Sequence, residues 1–289
     1  MPSILEFSVH VAVFVLSIVM LLRGRGRVAL TTLAAAWAWA LAAVVAVGGV
    51  EIAIWLAMPR AGHFLATIPH WATAARYAAA VLALCPTVAL LGAKRPQDRA
   101  WQWVVLSFWA IMLVPAARAF LLLGGAMAKP HAAQGVFLLV VTLMGIVNWI
   151  ATRFTWAAIA AGSAQFVLVV PYTPLGDMSP VIASLSPLTP TLIALVVCRL
   201  LEKPPRPSDP SQRDWLDFRD AFGLFWAARV MARLNVAARA HGWGLVVTWR
   251  GVQYSSADGR SREAFARSLR MLLRRFVSDD WLGERKQPS

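Results

Sequence analysis

Acidic side chains are scarce in the first two thirds of this chain. Residues 1–201 contain only Glu6, Glu51, Asp98 and Asp177, against twelve lysines and arginines. Long apolar runs separate these charges, and hydrophobic residues make up 59% of the 289 residues. Such a composition excludes an ordinary soluble globular protein and predicts a chain that crosses a membrane several times.

Cysteines and catalytic motifs are also sparse. The two cysteines, Cys85 and Cys198, lie within apolar runs, where thiols behave as small hydrophobic groups and imply neither a disulfide framework nor a zinc site. The chain lacks a Walker loop, G-x-G-x-x-G, H-E-x-x-H, C-x-x-C and G-x-S-x-G. We therefore expect no cofactor and favour a non-enzymatic role.

The apolar runs predict an all-α, polytopic membrane bundle of about seven transmembrane helices in residues 1–201. The first run has no basic segment before it, so we expect a membrane helix there and not a cleaved signal peptide. The predicted spans are 4–22, 30–57, 73–92, 101–123, 136–151, 156–171 and 180–201, and a count of six or eight stays open.

Basic residues collect in alternate turns between the spans. The turns after spans one, three, five and seven contain Arg23, Arg25, Arg27, Lys94, Arg95, Arg99, Arg153, Arg199, Lys203 and Arg206. The other turns have only Arg60, Lys129 or no basic residue. The positive-inside rule then predicts a multi-pass protein of the bacterial cytoplasmic (inner) membrane, with its N-terminus outside and its C-terminus in the cytoplasm.

A few ionisable residues are expected within the outer half of the spans: Glu51, Arg118, Arg76 and His10. Such groups are costly inside a membrane and are functional candidates. One interpretation is a structural Glu51–Arg118 ion pair, with Arg76 reaching outward to water. The other is an outward-facing polar cavity that admits an anion or relays protons, because arginine binds carboxylate and phosphate well.

Other polar residues have simpler explanations. His63, His70 and His131 are weak candidates for a metal site in the outer turns, but their spacing matches no compact metal motif, so we expect ordinary interfacial histidines. Asn148 and Gln165 are lone polar residues within spans, and we expect them to form interhelical hydrogen bonds.

The tail is predicted to be a small basic cytoplasmic domain over 211–289, joined by a proline-rich linker, 202–210. We expect an α-β-β-α arrangement with a helix at 212–240, a hairpin at 243–255 and a last helix at 262–277. Ser211 and Ser261 are the expected N-caps of the two helices. Asp214, Asp217 and Asp220 are expected in a solvated first turn that complements the helix dipole.

The first tail helix is apolar on two sides and must therefore be covered twice. We expect the domain itself on one side and the membrane surface or a partner on the other. Basic residues suited to lipid or partner contact are Arg229, Arg233, Arg267, Arg270 and Arg274. The last three lie on one face of the last helix, which is either a membrane-surface face or simply a solvated face of the domain.

Two segments carry a resemblance. Leu91-Gly-Ala-Lys-Arg-Pro-Gln-Asp-Arg-Ala-Trp-Gln102 and Phe218-Arg-Asp-Ala-Phe-Gly223 resemble parts of uncharacterised bacterial multi-span integral-membrane proteins. The resemblance implies a membrane location and no particular activity, so it assigns no residue a role.

Several functions are compatible with these patterns. The first is a non-enzymatic membrane component whose cytoplasmic tail docks a partner or the inner lipid surface. The alternatives are a small-solute, anion or proton transporter that uses the outer polar cluster, a seven-span sensor, and a membrane enzyme. Expected partners are the bilayer with anionic lipids at its inner face, and a protein partner or a second copy of the chain. Nucleic acid is not expected, because half of the basic surplus lies in membrane turns.

Overall fold

Helices dominate the structure, a computed structural model that describes residues 4–57, 69–122, 124, 127, 129–176, 188–201 and 207–283. The helices are α1 (Ile4–Ala29), α2 (Ala34–Ala57), α3 (Ala72–Leu82), α4 (Cys85–Leu91), α5 (Trp101–Met112), α6 (Val114–Leu122), α7 (Ala132–Trp149), α8 (Thr155–Val169), α9 (Leu188–Leu200), α10 (Pro210–Ala240), α11 (Gly259–Leu273) and α12 (Asp279–Gly283). The strands are β1 (Leu245–Thr248) and β2 (Gly251–Tyr254), and a short 3-10 turn, Val170–Tyr172, follows α8.

Five helical segments within the described residues are long and apolar enough to cross a membrane: α1, α2, Ala72–Leu91, α7 and Thr155–Tyr172. A sixth is obtained if α5 and α6, which meet at an angle of 48°, count as one bent span. The expectation of a mostly helical chain with several apolar spans is therefore confirmed, and the described residues contain five or six candidate spans. The predicted span 180–201 is described only as α9, since its first residues lie outside the described ranges.

The break between α3 and α4 and the bend between α5 and α6 each have a proline beside them. Pro86 and Pro115 have no backbone N–H, so the helix cannot run unchanged through either position. Between α3 and α4 the Ala83 carbonyl is taken by a side chain, since Gln165 Nε2 of α8 donates to it over 3.0 Å. This bond confirms the expected interhelical role of Gln165, and it satisfies a carbonyl that would otherwise face hydrocarbon.

The bundle has two distinct ends. Turns 30–33, 92–100 and 150–154 lie at the end that carries the tail, which we call the tail side; the ends of α2, α6 and α8 lie on the far side. Helix α2 packs against α1, α3 and α4, while α8 packs against α7 and α9, and α9 returns to α1.

The tail consists of α10, a two-stranded antiparallel hairpin, α11 and α12. The hairpin pairs Leu245 with Tyr254 and Thr248 with Gly251, so Trp249 and Arg250 form its two-residue turn. Both predicted N-caps were wrong. Asp209 Oδ1 accepts from the Ser211 N–H, and Asp258 Oδ1 accepts from the Ser261 N–H. In each case an aspartate two or three residues earlier caps the helix, which starts with Pro210 or Gly259.

The aromatic side of α10 is covered by the chain itself. Phe276, just after α11, packs edge-on against the rings of Phe218, Phe222 and Trp226, with ring centroids 5.0–5.2 Å apart. The same core contains Leu90 and Ala93 from the end of α4, so the bundle supplies part of the tail's hydrophobic core. Of the predicted linker, residues 202–206 lie outside the described ranges.

A kink in α10 is held by one amide of the bundle. Gly223 has φ 69° and ψ −168°, which interrupts the helix. Asn148, at the end of α7, accepts from the Phe225 N–H at its Oδ1 (2.9 Å) and donates from its Nδ2 to the Phe222 carbonyl (3.4 Å). The Asn148 side chain therefore satisfies a donor and an acceptor on either side of the break. The two bonds confirm the expected hydrogen bonding of Asn148 to another helix, although that helix, α10, belongs to the tail.

We expect Gly223→Ala to detach or destabilise the tail. The conformation of Gly223 is essentially restricted to glycine and costs a residue with a Cβ about 1–3 kcal/mol. An added Cβ would also lie 2.2 Å from Asn148 Nδ2. Thermal unfolding of the purified chain, with limited proteolysis of the tail, measures the effect. Gly259→Ala is the matched control, because its Cβ meets nothing within 4 Å. Equal stability of the two variants would contradict this account of the kink.

Candidate functional site

On the far side, one ion pair joins α2 to α3. Arg76 donates from Nε to Glu51 Oε1 and from its terminal nitrogen to Oε2, both over 2.7 Å. The side chains are partly exposed, at 39% for Arg76 and 25% for Glu51. Both carboxylate oxygens thus accept from one edge of the guanidinium. This bidentate geometry is the strongest for a carboxylate and an arginine.

The predicted Glu51–Arg118 pair was wrong. Arg118 is exposed on α6, and within the described part of the chain the carboxylate of Glu51 is paired with Arg76 instead. Spacing along the sequence gave both arginines a similar depth, but it could not tell which helix lies beside α2. His10 is half-buried on α1, close enough for the Glu51 charge to act on its imidazole. Three of the four predicted residues therefore lie together.

Two tyrosines border this ion pair. Tyr172 donates from its hydroxyl to the Thr73 carbonyl (3.2 Å), and Tyr77 donates to the Met112 carbonyl at the α5–α6 bend (2.8 Å). Their rings meet edge to face at 4.9 Å. Because these hydroxyls are bonded to the backbone, the surroundings of the Glu51–Arg76 pair are fixed by packing.

Of the three candidate metal histidines, the structure describes His70 and His131. His131 caps α7, with its Nδ1 accepting from the Ala133 N–H over 3.3 Å. His70 is exposed just before α3, and His63 lies outside the described residues. Among the residues that the structure describes, no group of three or more His, Cys, Asp or Glu side chains could hold a metal ion.

On the tail side, the tail is bound to turns 30–33, 92–100 and 150–154. In the turn after α4, the Arg95 N–H donates to the Arg275 carbonyl over 2.8 Å. After α1, the Thr32 N–H donates to the Phe276 carbonyl (2.8 Å), and the Ser278 N–H donates to the Leu30 carbonyl (2.9 Å). These bonds form a short antiparallel bridge. After α7, Trp249 Nε1 of the hairpin donates to the Ala151 carbonyl. Sequence periodicity gave no sign of this docking, since each segment alone has the pattern of an ordinary turn.

Asp214 and Asp220 of α10 are buried ion-pair partners, not solvated residues as predicted, and Asp217 is half-buried. Asp220 is 5% exposed and bonds to Arg219 at 2.7 Å, with Arg153 of the α7–α8 turn at 3.4 Å. Asp214 is also buried, with Arg270 at 3.9 Å. Their charges therefore balance arginines within the tail and across the tail-side junction, and they were missed because a run of early acids also suits a helix dipole.

Four basic side chains from three segments gather at this junction, and we call them the cationic cluster: Lys94, Arg229, Arg233 and Arg275. Their approach is fixed by the backbone, since the Arg95 N–H donates to the Arg275 carbonyl over 2.8 Å. Within the described residues none of the four has an ion-pair partner, and the three arginines are exposed. Desolvation and then the positive charges of the three arginines lower the pKa of Lys94.

Trp226 connects the cationic cluster to the bundle. Its Nε1 donates to the Leu90 carbonyl over 2.9 Å, at the end of α4. The Arg229 guanidinium lies over the same indole, 4.9 Å from the ring centroid, in a cation–π contact. Lys94 follows Leu90 by four residues, so the cluster sits directly beside the tail-side end of α4.

The other predicted contact residues differ in their surroundings. Arg267 is exposed on α11. Arg274 is paired with Asp279 at 2.7 Å, and Arg270 faces Asp214. Thus Arg229 and Arg233 belong to the cationic cluster, whereas Arg270 and Arg274 already have carboxylate neighbours. Lys94 and Arg275 were not among the sequence candidates, because one lies in a membrane turn and the other beyond the predicted basic face.

An apolar cavity of about 390 Å³ lies within the bundle. Small side chains of α2, α8 and α9 line it, with Leu33, Leu90 and Trp149 at its tail-side end. The same three residues pack in or against the core of the tail. The tail therefore adjoins one end of the cavity.

We expect Glu51→Gln to lower the stability of the chain by about 1–2 kcal/mol, less than for a fully buried pair because both side chains are partly exposed. A double-mutant cycle of Glu51→Gln with Arg76→Gln should show a coupling of similar size. The matched cycle with Arg118→Gln should show none beyond the additivity error of about 0.5 kcal/mol. Unfolding in mixed detergent measures both, and coupling to Arg118 instead of Arg76 would contradict the assigned pair.

Comparisons with known proteins give no further guide to the role of these sites. No protein-family model, no curated protein and no solved structure matches the chain. The ion pair, the cationic cluster and the cavity are therefore the observations from which a function has to be argued.

Proposed function

We propose that this protein is a non-enzymatic component of the bacterial cytoplasmic membrane whose tail binds anionic phospholipid at the inner surface. The cationic cluster carries this proposal. Four positive side chains converge without a carboxylate partner among the described residues, at the level where a membrane helix ends. Basic residues near an anionic surface each contribute about 1 kcal/mol of binding.

The proposed orientation places the tail side in the cytoplasm. On this side the end of α1 carries Arg23, Arg25 and Arg27, and the turns carry Lys94, Arg95, Arg99 and Arg153, whereas Lys129 is the one basic residue in the described turns of the far side. This asymmetry supports an inner tail by the positive-inside rule. The same argument supports seven spans, because an odd number puts the termini on opposite sides. The count takes α5–α6 as one bent span and α9 as the end of the seventh.

Two observations favour lipid binding over the alternatives. The aromatic side of α10 packs on Phe276 and the bundle, which leaves no large apolar face there for a protein partner. On the far side, Arg76 already uses two donors on Glu51. An anion pathway would need that guanidinium to be open, so the geometry supports a structural role for the ion pair.

The orientation can be tested by cysteine labelling in intact cells. In a Cys198→Ser background, where Cys85 is buried, we expect Ala132→Cys to react with a membrane-impermeant maleimide added outside. Ser255→Cys, in the exposed part of the tail, should react only after lysis. Labelling of Ser255→Cys in intact cells would place the tail outside and contradict the proposal.

Lipid binding can be tested by neutralising the cationic cluster. The variant Lys94→Gln/Arg229→Gln/Arg233→Gln should lose roughly a hundredfold in affinity for phosphatidylglycerol, since three basic contacts of about 1 kcal/mol each are removed. Phosphatidylcholine binding should change little. Native mass spectrometry of the full chain in detergent, titrated with either lipid, gives the affinities.

The control removes the same charge elsewhere on the tail. Arg239, Arg250 and Arg260 are exposed, and the triple variant Arg239→Gln/Arg250→Gln/Arg260→Gln should keep the affinity of the wild type for phosphatidylglycerol within about twofold. Equal losses in the two triple variants would mean that net charge alone attracts the lipid, and the assignment of a site at the junction would be rejected.

A further inference from the structure

The cavity inside the bundle has the chemistry of a hydrocarbon site. Its walls come from α1, α2, α4, α7, α8 and α9, and consist mostly of apolar side chains, many of them small, such as Ala40, Ala43, Ala161 and Ala194. Its volume of about 390 Å³ falls in the range of ligand pockets. Protein interiors are otherwise close-packed, and an apolar space of this size is not stabilised by water.

Two polar side chains at the wall, Gln165 and Trp37, already donate to backbone carbonyls. Gln165 Nε2 donates to the Ala83 carbonyl. A Cβ at Gly145 would lie 3.0 Å from Thr87 Oγ1, so α4 and α7 approach closely there. The cavity therefore offers few hydrogen bonds to a polar solute, which favours an apolar occupant.

The length of the cavity matches one leaflet of a bilayer. Along α2 its wall runs from Ala36 to Val47, which at 1.5 Å per residue is about 16 Å. A hydrocarbon core of ~30 Å gives each leaflet about 15 Å. The cavity lies in the tail-side half of α2, and its length suits a single acyl chain of that leaflet.

The cavity ends beside the cationic cluster. Leu90 lines the cavity and also belongs to the core of the tail. Its carbonyl accepts from Trp226, whose ring carries Arg229. A molecule with an apolar chain in the cavity and an anionic group at the cluster would satisfy both features at once, by apolar burial on one side and charge complementarity on the other.

We propose that the cavity binds one acyl chain of an anionic phospholipid whose phosphate lies at the cationic cluster. The proposal rests on the proposed function, because the phosphate is held by the same four side chains. It adds a defined occupant, one chain per protein, and predicts that a soluble phosphate compound without a chain is a poor ligand.

Filling the cavity provides the test. Ala40→Phe projects a ring into the cavity, whereas Ala38→Phe places the same ring on the exposed face of α2 two residues earlier. We expect Ala40→Phe to lower the affinity for dioleoyl phosphatidylglycerol at least tenfold in native mass spectrometry of the full chain. Ala38→Phe should bind like the wild type, and glycerol 3-phosphate should not displace the lipid at concentrations up to a hundredfold excess.

The outcomes separate the two proposals. If Ala40→Phe binds like the wild type while the cluster variant loses the lipid, the chain lies outside the cavity and this inference fails, but the proposed function stands. If the cluster variant also binds normally, the proposed function fails. Full displacement by glycerol 3-phosphate would identify a soluble phosphate site and overturn the acyl-chain proposal.

A second measurement covers the case in which Ala40→Phe does not fold. A phosphatidylglycerol with a photoreactive diazirine in its acyl chain is crosslinked to the wild-type protein. We expect labelled peptides from α2, α4 and α8 around Ala40, Ala83 and Ala161. Labelling confined to lipid-facing residues such as Ala38 and Trp103 would overturn the proposal.

Discussion

The arrangement of the tail depends on a broken helix whose open backbone groups are held by the bundle. Helix α10 changes direction at Gly223, and the groups on either side of the break bond to the amide of Asn148. An unpaired backbone group at such a buried position costs about as much as a lost hydrogen bond. The kink and the docked position therefore stabilise each other, because each would leave polar groups unsatisfied without the other.

The same requirement explains how the bundle tolerates its own breaks. Pro86 prevents a continuous helix through α3 and α4, and Gln165 supplies a donor to the Ala83 carbonyl. Asn148 and Gln165 thus have the same role at different depths: each places a side-chain amide where another helix is interrupted. Asn148 and Gln165 are consequently explained by the backbone groups that they satisfy.

Much of the fold could be predicted from the sequence, and the failures have a common origin. Apolar runs predicted the long helices, and the segment 243–255 predicted the hairpin, because these signals are local. The partner of Glu51 was assigned wrongly because depth along a helix says nothing about which helix is adjacent. Burial of Asp214 and Asp220 was also missed, since Arg270 and Arg153, which face them, are distant in sequence.

The candidate site was predictable only in part for the same reason. Arg229 and Arg233 were expected to contact lipid or a partner because they lie on one helix near aromatic residues. Lys94 and Arg275 join them only when the turn after α4 meets the residues after α11, a contact made by backbone hydrogen bonds. No periodicity in either segment encodes that meeting, so half of the cluster appears only in the folded chain.

Acidic side chains are too few to balance the basic ones, and this shortage explains why the cationic cluster is unpaired among the described residues. Several tail carboxylates pair with arginines outside the cationic cluster: Asp220 with Arg219 and Arg153, and Asp279 with Arg274. Among the described residues this leaves the positive charges at the end of α4 without a partner. Gathering like charges is unfavourable: desolvation first, and then the three arginine charges, lower the pKa of Lys94. An anion at the cluster would relieve this repulsion, and at the level of a helix end the abundant anion is a lipid phosphate. The same phosphate would place its chains level with Leu90 and the mouth of the cavity, so the charge pattern and the apolar space both indicate a lipid.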